Sequence, residues 1–216
     1  RNATTAAPGV VPDEGGGVRE YPGDSPVRLY GRSPLMRMTT RTLSAMALMT
    51  ALTAFGSLLR IPFYPVPISL QSLFPLLAGA LFSPRAAAGT QAAYLMLGLL
   101  GLPLFSQGGG MAYLFQPTFG YLLAMPLTAA LVARGVQSLA RPPAMRSLAL
   151  VMALGALFLL VFGTLWLYFS FAWITGRPIP FLKAMGAGLL LFIPGECVKV
   201  AAALLVARKF QSFLRS

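Results

Sequence analysis

The sequence predicts an all-α integral membrane protein: six transmembrane helices, both termini in the cytoplasm, and an outward-facing pocket under the outer loops. Three observations predict it. The 216 residues have a mean hydropathy of +0.72 and are 56% hydrophobic but only 10% charged, well below the charge content of soluble domains. Uncharged apolar runs follow one another from residue 42 onward, and a helical span needs about 20 apolar residues. The net charge of +12 is spread singly between those runs, which places the bases at membrane edges rather than on a nucleic-acid surface.

Residues 1–36 are rich in Pro, Gly and Ser, lack apolar periodicity, and balance four acids with four arginines. They read as a disordered extension or leader without the apolar core of a signal peptide. The chain opens on Arg1, and Met36 or Met38 would serve as an alternative start. The membrane domain is expected over 37–216.

The six expected spans are about 39–60, 67–83, 86–102, 118–138, 147–173 and 190–210. The uncharged part of the first, 42–59, lies between Arg41 and Arg60. The second follows Pro62, Pro65 and Pro67. The uncharged stretch 86–133 is too long for one span, and its Gly/Pro-rich middle, 101–120, divides it. The fifth ends in the aromatic run LWLYFSFAW, and the sixth stops at Arg208-Lys209. With the N-terminus inside, nine loop bases lie inside (Arg37, Arg41, Arg85, Arg134, Arg141, Arg146, Arg208, Lys209, Arg215) and three outside (Arg60, Arg177, Lys183). That asymmetry favours two cytoplasmic termini. The outer connections, 60–71, 101–118 and 175–195, are the irregular ones. Irregular backbone near membrane depth requires burial in protein or a cavity to line.

One stretch stands out chemically. FIPGECVKV (192–200) carries Glu196, the only acid after residue 36, and Lys199. At i, i+3 they share a helix face, and each costs about 2.5–3.5 kcal/mol at the centre of a span on insertion scales. Two geometries are open. A helix starting at Pro194 places Glu196 in its first turn, near the positive end of the dipole. A longer helix from about Phe181, kinked at Pro194-Gly195, places it nearer mid-membrane. The pair is either a ligand site or an ion pair that ties helices together.

Gln71, Gln91, Tyr94, Gln107, Gln116 and Thr118 form a polar set toward the outer side, suited to a small polar head group or simply to water. Phe63, Tyr64, Phe105, Tyr113 and Phe115 are candidates for the wall of an apolar ligand body or for an interfacial belt. Ala47 and Ala51 on the first span, with Ser44 and Ala54 nearby, have the small-residue spacing that lets another helix approach.

Several chemistries are excluded. There is no histidine, one cysteine (Cys197), and no GxxxxGK[ST] loop, so a His-based catalyst, a zinc cluster, an internal disulfide and an ATP phosphate cradle are absent. No metal or cofactor is expected. A membrane-embedded enzyme acting on a lipid or isoprenoid, with Glu196 as general acid/base, is an alternative. It would want a second acid or a metal motif, and neither occurs.

The motifs taken together resemble the BioY family, the biotin-specific substrate-binding (S) components of energy-coupling factor (ECF) transporters. Four pieces carry the resemblance, in order: PVPISLQ with the helix after it, the Tyr-bearing helix ending in Gly-Leu-Pro within 65–110, QPTFGYLL (116–123) and FIPGECVKV. The family usually has Asp where Glu196 stands, and glycines where Gln116 and Phe119 stand. The resemblance implies a multi-pass vitamin carrier of the bacterial inner membrane, with an outward pocket for biotin or a related small vitamin and no ATPase of its own. It implies partnership with a transmembrane coupling protein and a pair of cytoplasmic ATPases, and toppling in the membrane to deliver substrate. It assigns Glu196 and Lys199 to the biotin site; on the reading of the outer polar set above, Gln71, Gln91, Tyr94, Gln107 and Thr118 would complete its polar part. It also places Ala47 and Ala51 against the coupling protein.

Overall fold

The computed structural model describes residues 40–61, 68–140, 143–174, 176 and 178–213. The expected extension over 1–36, the candidate wall residues Phe63 and Tyr64, and Arg37, Arg141, Arg177 and Arg215 lie outside them. Helix α1 spans Thr40–Leu58. A two-residue hairpin follows, β1 (Arg60–Ile61) antiparallel to β2 (Ile68–Ser69), with Arg60 opposite Ser69. Then come α2 (Leu73–Leu81), α3 (Pro84–Leu99), a 3₁₀ turn at Met111–Phe115, α4 (Phe119–Gln137) and α5 (Met145–Trp173). The chain ends with a short α6 (Phe181–Met185), a π turn (Gly186–Leu190) and α7 (Ile193–Phe213).

The all-helical expectation holds, apart from that hairpin. Among the described residues, three segments are long and apolar enough to cross a membrane: Phe119–Gln137, Met145–Trp173 and Phe181–Phe210. The other three expected crossings differ in detail. Helix α1 has 19 residues but carries Arg41 and six hydroxyl side chains. The expected span 67–83 is replaced at its start by the hairpin, and Ser83, extended before Pro84 at the first position of α3, ends it. What remains is a nine-residue α2, about 14 Å long at 1.5 Å per residue. Helix α3 has 16 residues, about 24 Å, against a hydrocarbon thickness of about 30 Å.

Packing explains how so short a helix is kept. Every residue of α2 from Pro75 to Ala80 is buried, so α2 is a core element enclosed by α3, α4, α5 and α7. Leu76, Leu77 and Ala80 pack with Ala129, Val132, Leu148, Met152 and Leu204 in one cluster. Small residues permit the approach: a Cβ at Gly79 would stand 2.6 Å from Val132 Cβ and 2.9 Å from the Ala129 carbonyl oxygen. A second cluster, with Tyr94, Phe105, Tyr113, Phe119 and Met125, lies nearer the start of α4. The opposite face of α5 presents Leu150, Leu154, Leu157, Val161, Leu165 and Phe169 outward. Their three- and four-residue spacing makes one apolar stripe suited to lipid.

Contacts fix helix direction. Thr50 Oγ1 donates to the Thr90 carbonyl at 3.0 Å, Gln91 Nε2 donates to Thr53 Oγ1 at 3.3 Å, and Ser57 meets Leu104 beyond the end of α3, so α1 and α3 run side by side in the same sense. Arg208 Nη1 reaches Met145 Sδ at 3.2 Å, bringing the end of α7 to the start of α5. Arg41, Arg85, Arg134, Arg146 and Arg208 are thereby gathered, exposed, toward one end of the bundle. At the other end, the connection after α3 folds over the helix tops. Tyr94 Oη donates to the Leu104 carbonyl at 2.9 Å, and Ser57 Oγ donates to the same oxygen. Gly108 and Gly110 take φ of 119° and 95°, which side-chain-bearing residues rarely adopt.

Candidate functional site

A cavity opens at the end where α4 begins. With its open mouth and the adjoining solvent included, its volume is about 570 Å³. Ser69, Gln71 and Ser72 reach it from the hairpin and the entry to α2, Ser106 and Tyr113 from the α3–α4 connection, and Thr118, Tyr121, Leu122 and Met125 from α4. Leu159 and Leu160 of α5, and Phe192, Glu196 and Lys199, close it. Leu159 and Leu160 sit midway along the 29-residue α5, so the cavity descends to about half the depth of the bundle.

Its polar end is a triangle. Lys199 Nζ lies 2.6 Å from Glu196 Oε1 and donates to Ser72 Oγ at 2.8 Å, while Ser72 Oγ donates to Glu196 Oε1 at 2.6 Å. Glu196 and Lys199 are 5% and 6% exposed, so this is a buried pair. Such pairs persist when hydrogen bonds satisfy the remaining charge. Here one acceptor is left over: Glu196 Oε2 is buried and has no partner. An unmade bond to a buried charged oxygen costs more than a typical neutral one. The site therefore presents an anionic acceptor ready for an N–H or O–H donor. Thr118 Oγ1 is likewise buried without a partner on the same cavity's wall. Between these groups the wall is apolar and aromatic.

Both helix geometries read from FIPGECVKV are partly realised. Glu196 sits in the first turn of α7, as for a helix starting near Pro194. Yet the helical run begins at Phe181, so that first turn lies inside the bundle, and the Glu196 amide still bonds the Phe192 carbonyl at 2.9 Å.

The sequence-selected residues divide. Glu196, Lys199, Gln71 and Thr118 meet at the cavity. Gln71 is buried, with Nε2 3.1 Å from Met125 Sδ. Gln91, Tyr94 and Gln107 lie off its wall. Gln91 is buried between α1 and α3, donating to Thr53 Oγ1 at 3.3 Å and Thr90 Oγ1 at 3.1 Å. Tyr94 anchors the overlying connection and packs edge-on against Phe105. Gln107 is exposed, as are Gln116 and Phe115. Of the aromatic candidates, Tyr113 lines the cavity, whereas Phe105 is buried behind it. Ala47 and Ala51 are exposed on α1 beside Leu48 and Phe55. Sequence reasoning missed Ser72 and Tyr121. Tyr121 stands inside QPTFGYLL and Ser72 directly follows PVPISLQ, but nothing in the spacing marks partners 67 and 124 residues away.

Fold and site together define a helical membrane protein with a polar-floored cavity. The chain belongs to the BioY family, whose model matches residues 32–216. The probable biotin transporter BioY of Lysinibacillus sphaericus is 32% identical over 186 residues, 83% of this chain and 91% of that protein. The Pyrococcus horikoshii probable biotin transporter BioY is 33% identical over 175 residues, 81% and 98% of the two chains. Among solved structures, the S-component for biotin from an ECF-type ABC transporter superposes with a TM-score of 0.72 at 30% identity, covering 81% of this chain and 95% of that one.

Proposed function

We propose that this protein captures biotin for uptake across the cell membrane, as the S component of an ECF-type transporter energised by separate ATPase subunits. The observation that carries the reading is the unpartnered Glu196 Oε2 in a buried triangle with Lys199 and Ser72 at the cavity's polar end. Biotin's ureido group carries two N–H donors and one carbonyl. Glu196 Oε2 accepts from a ureido N–H, and Lys199 holds the carboxylate in place. Thr118 and Gln71 offer further polar contacts. Leu122, Met125, Leu159, Leu160 and Phe192, with the rings of Tyr113 and Tyr121, cover the thioether bicycle.

In this reading residues 37–216 form the membrane domain. It crosses the inner membrane six times, with the 181–210 run as the last crossing and α2 shielded from lipid by its neighbours. The end bearing Arg41, Arg85, Arg134, Arg146 and Arg208 faces the cytoplasm, and the cavity opens outward. The exposed face of α1 around Ala47 and Ala51 meets the coupling protein, whose ATPases supply the energy. Titration of the purified full chain with biotin should give saturable one-site binding and recovery of unaltered ligand. Absence of saturable binding would overturn the reading, and chemical conversion of an added lipid would favour the enzyme alternative.

A further inference from the structure

We infer that Tyr121 is a positioning residue that sets the rotation of α7, and with it the placement of Glu196, through a clasp on the π turn. The clasp is explicit in the hydrogen bonds. Tyr121 Oη donates to the Gly188 carbonyl at 2.7 Å and lies 3.1 Å from Thr164 Oγ1. One hydroxyl thus joins α4, α5 and the π turn.

The Gly188 carbonyl is available because the helical ladder is broken there. The Leu191 amide bonds five residues back, to Gly186 at 3.2 Å, and the Phe192 amide turns to Leu189 at 3.0 Å. In an uninterrupted α-helix the Phe192 amide would serve Gly188 instead. Tyr121 replaces that lost donor, so it stabilises the π register against reversion to α. Single π turns recur at functional sites.

The neighbouring glycines fit the clasp. A Cβ at Gly188 would stand 2.7 Å from Tyr121 Oη and 2.9 Å from Thr164 Oγ1, and one at Gly163 would stand 2.1 Å from the Tyr121 ring. Both positions must remain bare for the ring and hydroxyl to dock.

The register matters because Phe192, Glu196 and Lys199, at spacings of four and three, reach the cavity as one face. One residue of slip turns a helix by about 100°, enough to carry Glu196 away from Ser72. Cys197, the only cysteine in the chain, is exposed on α7 between buried Glu196 and the 70% exposed Val198, so a one-residue slip in either sense changes its surroundings. The protein therefore contains its own reporter of α7 rotation.

The consequence for biotin rests on the uptake reading above, whereas the rotation itself does not. The test compares wild type with Tyr121→Phe, measuring biotin affinity and the rate at which a membrane-permeant maleimide labels Cys197. Tyr121→Phe should weaken biotin binding about tenfold, the scale of one buried hydrogen bond, and should change the Cys197 labelling rate severalfold. Gly188→Ala, which disturbs the clasp from the other side, should change both readouts in the same direction, and it carries the test should Tyr121→Phe not fold. Unchanged Cys197 labelling in a folded variant overturns the proposal, even where affinity falls, because Tyr121 would then act only as a wall of the cavity. Failure of the wild type to bind biotin overturns the uptake reading, and the labelling rates still decide the clasp.

Discussion

At the scale of single residues, the site depends on an acid that is buried yet incompletely bonded. Glu196 was legible in the sequence because charge counting left it as the only acid after residue 36, and Lys199 followed from helical spacing. Ser72 was not legible. It stands 124 residues from Glu196, and only tertiary folding brings the entry of α2 against the first turn of α7. Gln91 and Tyr94 looked like site residues because a buried amide and phenol need partners. Tyr94 finds its partner in the Leu104 carbonyl, and the Gln91 amide nitrogen finds Thr53 and Thr90, while Gln91 Oε1 stays buried without a partner. Ser72→Ala removes a donor to Glu196 and an acceptor from Lys199. It should weaken biotin binding about tenfold or more, on the scale of a charge-assisted hydrogen bond, as read by titration of the purified variant.

At the scale of elements, the apolar runs identified α4 and α5 well, because long uncharged helices leave an unambiguous hydropathy signal. The second span was harder to read. Its apolar composition suited a membrane-facing helix, but Leu73–Leu81 is apolar because it is enclosed by other helices. Hydropathy alone does not separate burial in lipid from burial in protein. The π turn was also invisible, since a Gly-Leu-rich run such as 186–190 reads as ordinary helix. Close packing around α2 has a direct test. Gly79→Ala would press against Val132 and the Ala129 carbonyl, and overpacking of this kind costs about 1–3 kcal/mol. A lowered melting temperature is expected. Gly195→Ala, with open space around it, should leave the melting temperature unchanged or raised and serves as the control.

At the scale of the whole molecule, the proposed reading gives two surfaces different tasks. In it, the cavity sunk among α2, α4, α5 and α7 accounts for capture. The face of α1 bearing Ala47 and Ala51 is exposed and takes no part in the cavity, which suits it to the coupling protein. Separation of the two predicts a separation of phenotypes. Ala47→Leu with Ala51→Leu should reduce labelled-biotin uptake by cells carrying the complete transporter at least severalfold, while the purified variant keeps wild-type affinity. Loss of both together would place α1 in the capture site instead.

The most direct test of the central claim is calorimetric titration of biotin into the purified full chain and its Glu196→Gln variant, with circular dichroism confirming equal helicity. Wild type should bind one biotin saturably. Glu196→Gln should bind about a hundredfold more weakly, since it replaces a charged acceptor by a neutral amide and leaves Lys199 without its counter-ion. Equal affinity in the two folded proteins would contradict the assignment of Glu196 to the biotin site.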